Sequence, residues 1–154
     1  MPRLRSGLAA ALVLIAVVAA ACAAPPPSAS PSPPPAGIHV AIPALGPGVQ
    51  ALPVTIVDHA GIVRDAGPGP VMTDVTSDTT VRAVPGVDDA VILTWLGGAC
   101  DERVIVTIDP DGPQYRVTLR SDTAATTCPA VGIPRSLLLG LDEPRPAAAF
   151  YVLQ

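Results

Sequence analysis

The sequence predicts an all-β fold, a small antiparallel β-sandwich or partly open barrel of about seven to nine short strands with one disulfide. From Ile38 onward, short apolar bursts are separated by turn residues, and several bursts alternate apolar and polar positions. Twenty Pro and 13 Gly also interrupt the chain too often for long helices. Hydrophobic residues make up 49% of the sequence and aromatic residues 3%, so the core must be aliphatic. At 154 residues there is room for one domain and a targeting segment.

The expected strands begin with IHVAI (38–42), LPVTIVD (52–58) and GIVRDA (61–66). TVRAV (80–84), AVILTWL (90–96), RVIVTID (103–109) and QYRVTLRS (114–121) follow, and SLLLGL (136–141) and AAFYVLQ (148–154) close the chain. In 103–109, Val104, Val106 and Ile108 point one way, while Arg103, Ile105, Thr107 and Asp109 point the other. Tyr115, Val117 and Leu119 likewise oppose Arg116, Thr118 and Arg120. A strand with one polar face belongs to an antiparallel sheet packed on one side. DPDGPQ joins these two strands as a hairpin, with Pro110 presetting φ for the turn and Gly112 supplying a positive φ. Helical periodicity arises only near 135–141.

Ahead of the domain, residues 1–22 read MPRLRSGLAAALVLIAVVAAAC. Two Arg precede an apolar run from Leu8 to Ala21, shorter than the roughly 20 residues a membrane span needs. Small residues then lead to Cys22, as a peptidase site requires. The segment resembles a bacterial lipoprotein signal peptide over 1–21, with AAAC as the lipobox and Cys22 as the acylated new N-terminus. It departs from that pattern at Ala19, where Leu is preferred. Ala19-x-Ala21 also fits ordinary cleavage before Cys22, so plain secretion is the alternative. Residues 22–37 form the lipidated Cys and a Pro/Ala/Ser-rich tether. At about 3.1 Å per residue in an extended polyproline-like form, it holds the 38–154 domain some 40 Å from a membrane.

The chain has three cysteines, Cys22, Cys100 and Cys128. An odd number in an exported protein leaves one without an intrachain partner. Lipid on Cys22 leaves Cys100 and Cys128 to pair, in a compartment that favours disulfides. The net charge is −4, with neither Lys nor Asn present and the Arg residues scattered. That distribution excludes a nucleic-acid partner, which needs a clustered basic face.

No assembly of catalytic residues stands out. His39 and His59 lack the close spacing of a zinc site, and Ser77, Ser121 and Ser136 lie outside any Gly-x-Ser-x-Gly elbow. Asp109, Asp111 and Gly112 echo a calcium loop, but its twelfth position is Arg120 rather than Glu, so turn chemistry accounts for them. The adjacent carboxylates Asp88/Asp89, Asp101/Glu102 and Asp142/Glu143 face opposite sides of a strand, which is poor geometry for shared acid–base work. No metal and no cofactor are expected.

The stretch TWLGGACDE (94–102) reads as a crosslinking point. Gly97 and Gly98 bend the chain to deliver Cys100, and Trp95 covers the crosslink or the end of the core. The disulfide would hold this stretch beside the 121–135 loop, making Trp95, Asp101, Glu102 and Arg135 a candidate binding surface. TWLGGACD, TCPAVGIPRSLLLGL and DEPRPAAAF together resemble a recurrent module of exported proteins in high-GC Gram-positive bacteria, over about residues 90–150. The resemblance implies the β fold and the disulfide and carries no activity.

The expectation is therefore a membrane-anchored extracytoplasmic lipoprotein with a non-catalytic binding domain. Its partners would be the membrane, through the lipid, and an envelope protein or cell-wall component. One alternative is a carrier for a lipid or other apolar ligand, which requires an internal cavity. The other is a hydrolase or metal enzyme using His39 or His59.

Overall fold

A computed structural model describes residues 36–43, 50–72, 74–75, 78–123 and 127–153. The expected signal segment, Cys22 and the tether as far as residue 35 lie outside the described residues. The strands are β1 (Ile38–Ile42), β2 (Leu52–Asp58), β3 (Val63–Pro68), β4 (Thr80–Val84) and β5 (Val87–Gly98). They continue with β6 (Asp101–Asp111), β7 (Gln114–Thr123), β8 (Gly132–Leu141) and β9 (Phe150–Leu153). The one helical piece among the described residues is a 3-10 turn at Ala147–Ala149, and no described helix is long and apolar enough to cross a membrane.

Two sheets form, a five-stranded one in the order β1-β2-β6-β7-β9 and a four-stranded one in the order β3-β8-β5-β4. Their apolar faces make one aliphatic core. Val54, Ile56, Val104, Val106, Ile108 and Val117 come from the first sheet, and Val91, Leu93, Leu137, Leu139 and Leu141 from the second. Burying one such side chain contributes about 1.5–3 kcal/mol, which explains how a chain with four aromatics sustains a core. The all-β, two-layer expectation holds, and the β6/β7 alternation places its apolar set inward.

Five of the seven ladders are antiparallel, but β2 pairs with β6 and β7 with β9 in parallel. The cause lies in the path. After β2 the chain builds β3, β4 and β5 in the opposite sheet and returns beside β2 as β6; between β7 and β9 it makes the same excursion through β8. Parallel neighbours need such crossovers, whereas hairpins do not. Alternation records which face is buried, not the direction of the neighbour.

Local corrections have local causes. The expected strand 61–66 begins two residues later because the Asp58 carboxylate gathers the bend before it. It accepts the N–H groups of Ala60, Gly61 and Val63 at 3.0, 2.9 and 2.7 Å. Replacing Asp58 with Ala strands three donors and is expected to cost about 1–3 kcal/mol in urea unfolding. A loss below the few tenths typical of a surface site would deny the bend this role.

Pro110, expected in the β6–β7 turn, instead pairs with Tyr115 inside the ladder. The turn is Gly112-Pro113, with Gly112 at φ 59°, a glycine-first reversal that matches strand twist. SLLLGL is strand as expected, within the longer β8, and the helical periodicity near 135–141 forms no helix. Just after β3 the chain stays against Ser136 of β8. There the Ser136 hydroxyl donates to the Pro70 carbonyl at 2.6 Å, and the Gly69 N–H donates to the Ser136 carbonyl at 3.2 Å.

Candidate functional site

β5 leaves the second sheet at Gly98 and, after Ala99 and Cys100, the chain enters the first sheet as β6. Cys100 is disulfide-bonded to Cys128, with their Cα atoms 5.9 Å apart. The crosslink therefore ties the corner between the sheets to the segment that leads into β8.

Gly97 and Gly98 do not bend the chain, as the sequence suggested. Both are the last residues of β5, neither has a positive φ, and they pair with Ile133 and Gly132. What they provide is space. A Cβ on Gly98 would lie 2.9 Å from Asp101 Oδ1, and one on Gly97 would lie 3.1 Å from Asp101 Oδ2. That carboxylate turns back over the two glycines to accept the Gly98 N–H at 2.8 Å and the Ser121 hydroxyl at 3.3 Å.

The same Gly97 Cβ position lies 3.2 Å from Arg135 Cγ and 3.5 Å from Trp95 Nε1. Arg135 and Trp95 face each other across the β5–β8 ladder, one step beyond the Thr94–Ser136 pair and two beyond Leu93–Leu137. Two-residue periodicity puts them on the face of Leu93 and Leu137, so both point into the sandwich. Trp95 is 3% exposed and Arg135 4%. The structure thus brings Trp95, Arg135 and Asp101 to one place but draws the first two beneath the surface. Of the four residues expected to form a contact surface, Glu102 is exposed and Asp101 half-buried. Burial holds the Arg135 pKa below its ordinary value, with the Asp101 charge acting in the opposite direction.

Three donors at this end have no hydrogen-bond partner among the described residues: Arg135 Nε, Arg135 Nη1 and Trp95 Nε1. The sequence reading missed that Arg135 is internal. The signal was available, because Arg135, Leu137, Leu139 and Leu141 share one parity in a strand.

The histidines sit elsewhere and apart. On the outer face of the first sheet, His39 Nδ1 is 3.2 Å from the Thr55 hydroxyl. His59, in the bend after β2, has Nδ1 2.7 Å from Asp109 Oδ1, and Arg116 donates to the other oxygen of Asp109 at 3.3 Å. At that end the Tyr151 hydroxyl also donates to Asp111. No group of three or more His, Cys, Asp or Glu among the described residues is arranged to hold a metal.

The hydrogen bond from His59 holds the Asp109 carboxyl below its usual value of 3.8, and Arg116 adds to the effect. A lowered carboxylate pKa stabilises the fold above the unfolded-state value, and the contribution is lost as pH falls through the folded value. Asp109→Asn is therefore expected to be less stable than the parent at neutral pH, the gap closing below about pH 4. Denaturant midpoints measured across that range check it, and a gap that widens on acidification would contradict it.

A surface groove of about 280 Å³ lies between the β4–β5 hairpin and the 144–147 segment. Its wall is pinned by the Arg145 N–H donating to the Asp88 carbonyl at 3.1 Å and by the Arg145 guanidinium over the Tyr115 ring. The chain matches no protein-family model, no curated protein and no solved structure.

Proposed function

We propose that the chain is a membrane-anchored extracytoplasmic lipoprotein whose β domain binds a partner rather than catalysing a reaction. The observation that carries this reading is the pairing of Cys100 with Cys128 inside the domain. It leaves Cys22, at the end of an apolar leader and beside a Pro-rich tether, as the cysteine for the lipid. One myristoyl-sized chain gives only weak membrane binding, so stable anchoring through Cys22 takes more than one acyl chain. The partner is an envelope protein or a wall component, met at the stapled end where Asp101 and Glu102 reach solvent.

The other readings draw less support. A carrier needs an internal cavity, and the inner faces are filled by aliphatic side chains such as Leu52, Ile56, Leu93 and Leu137, each buried to within 1%. An enzyme built on His59 has a carboxylate to orient its ring, and the described hydrogen bonds of that pair extend to Arg116, which is not a nucleophile.

The test is full-chain expression in a bacterium with a lipoprotein export pathway, followed by fractionation and intact-mass measurement. The chain is expected in the membrane fraction, starting at Cys22 with an added lipid mass. Cys22→Ala is expected to move nearly all of it to the soluble fraction. An unlipidated chain released by the parent sequence would overturn the anchor.

A further inference from the structure

We propose that the stapled end of the sandwich is a binding site for one carboxylate group of a ligand, with Arg135 as its cation and the Trp95 indole N–H as a neutral donor. The inference deepens the binding reading above and rests on it. A guanidinium taken out of water is costly unless it is paired, and burying an unpaired charge costs more than burying almost any other group. Arg135 is 96% removed from solvent, yet its Nε and Nη1 have no partner among the described residues. Trp95 Nε1, 3.5 Å from the same Gly97 Cβ position that lies against the Arg135 stem, is unpartnered too.

Asp101 does not serve as the missing counter-ion. No ion pair joins it to Arg135, and its Oδ2 is directed to the Gly98 N–H and the Ser121 hydroxyl. Its charge nonetheless reaches Arg135 from beyond contact. That field selects among anions: a singly charged carboxylate meets Arg135 with less repulsion from Asp101 than a doubly charged phosphate or sulfate does. Access is short. Trp95 and Arg135 lie three ladder steps from Gly98–Gly132, where β5 ends and β8 begins, so the site sits near the end of the sheet. A carboxylate there would supply the charge-assisted hydrogen bonds that a buried guanidinium lacks.

Trp95 is the only tryptophan, so its emission reports on this one spot. The full chain is titrated with acetate, phosphate, sulfate and chloride at constant ionic strength, following Trp95 fluorescence and the NMR shift of its indole N–H. Acetate is expected to give a saturable change with a dissociation constant of about 1–10 mM. Phosphate and sulfate are expected to be weaker, and chloride to give none. Arg135→Met keeps the length of the stem, removes the charge, and is expected to weaken acetate at least about tenfold. No saturable acetate response, an equal response in Arg135→Met, or tighter binding of phosphate would each overturn the assignment. If Arg135→Met does not fold, the indole N–H shift in the parent decides alone: a saturable shift supports the site and its absence overturns it. Lipid on Cys22 is read by mass, so failure here is separable from failure of the anchor.

Discussion

Trp95→Ala is expected to destabilise the domain by about 3–5 kcal/mol. The indole is 3% exposed and belongs to the same buried cluster as Leu93, Leu137 and Val104. Its removal leaves a void at the end of the core, beside the Arg135 stem and the Asp101 carboxylate that both close on Gly97, and these cannot fill the space without moving charge into it. Urea unfolding followed by far-UV circular dichroism measures the loss, since the variant has no tryptophan emission. Leu96→Ala is the internal control. Leu96 is the next residue of β5 but points outward and is 40% exposed, so its truncation is expected to cost under about 1 kcal/mol. Equal losses at the two positions would show that Trp95 does not anchor the core.

The second large effect is loss of the crosslink. Replacing Cys100 and Cys128 with Ala is expected to cost about 3.5 kcal/mol, the chain-entropy value for a loop of this length. For a domain of about 100 residues, that lowers the midpoint of thermal unfolding by roughly 15–25 °C. The residues are separated by 28 positions, and the loop holds all of β6 and β7. Because the effect acts mainly on the unfolded chain, the reduced parent protein and the double variant are expected to unfold at nearly the same temperature. A double variant as stable as the oxidised parent would mean that β6 and β7 need no external constraint.

Much of the fold was legible because its physics is local. A strand with one buried face must alternate, and Val104, Val106, Ile108 and Val117 do so visibly. Cysteine parity pointed to the same crosslink: with Cys22 set aside for the proposed lipid, Cys100 and Cys128 are the one pair left, and the structure joins them. Legibility failed where the answer depended on what lay opposite. The parallel seams β2–β6 and β7–β9 follow from excursions into the other sheet, which no residue encodes by itself. At the candidate site, Asp101 and Glu102 open β6, two residues before the expected strand 103–109, and both reach solvent as a contact surface requires. Gly97 and Gly98 were read as a bend, because a glycine pair signals both flexible φ and missing bulk, and only the position of Asp101 decides between them. Arg135 was taken for a surface group because arginine usually is one. Its strand parity with Leu137 and Leu139 argued otherwise, and parity proved the stronger guide.

The seam between β2 and β6 also joins residues far apart in the sequence. β1 pairs with its sequence neighbour β2, whereas Val54 meets Val104 and Val63 in β3 meets Leu141. Contacts between such distant residues close slowly. The C-terminal half differs, since β6 and β7 meet through a two-residue turn and the Cys100–Cys128 bond encloses only that hairpin and its following loop. A chain whose N-terminal half is made first is therefore expected to leave the β2 edge unpaired until β6 is available to cover it. That interval is when β2 is open to pairing with another chain.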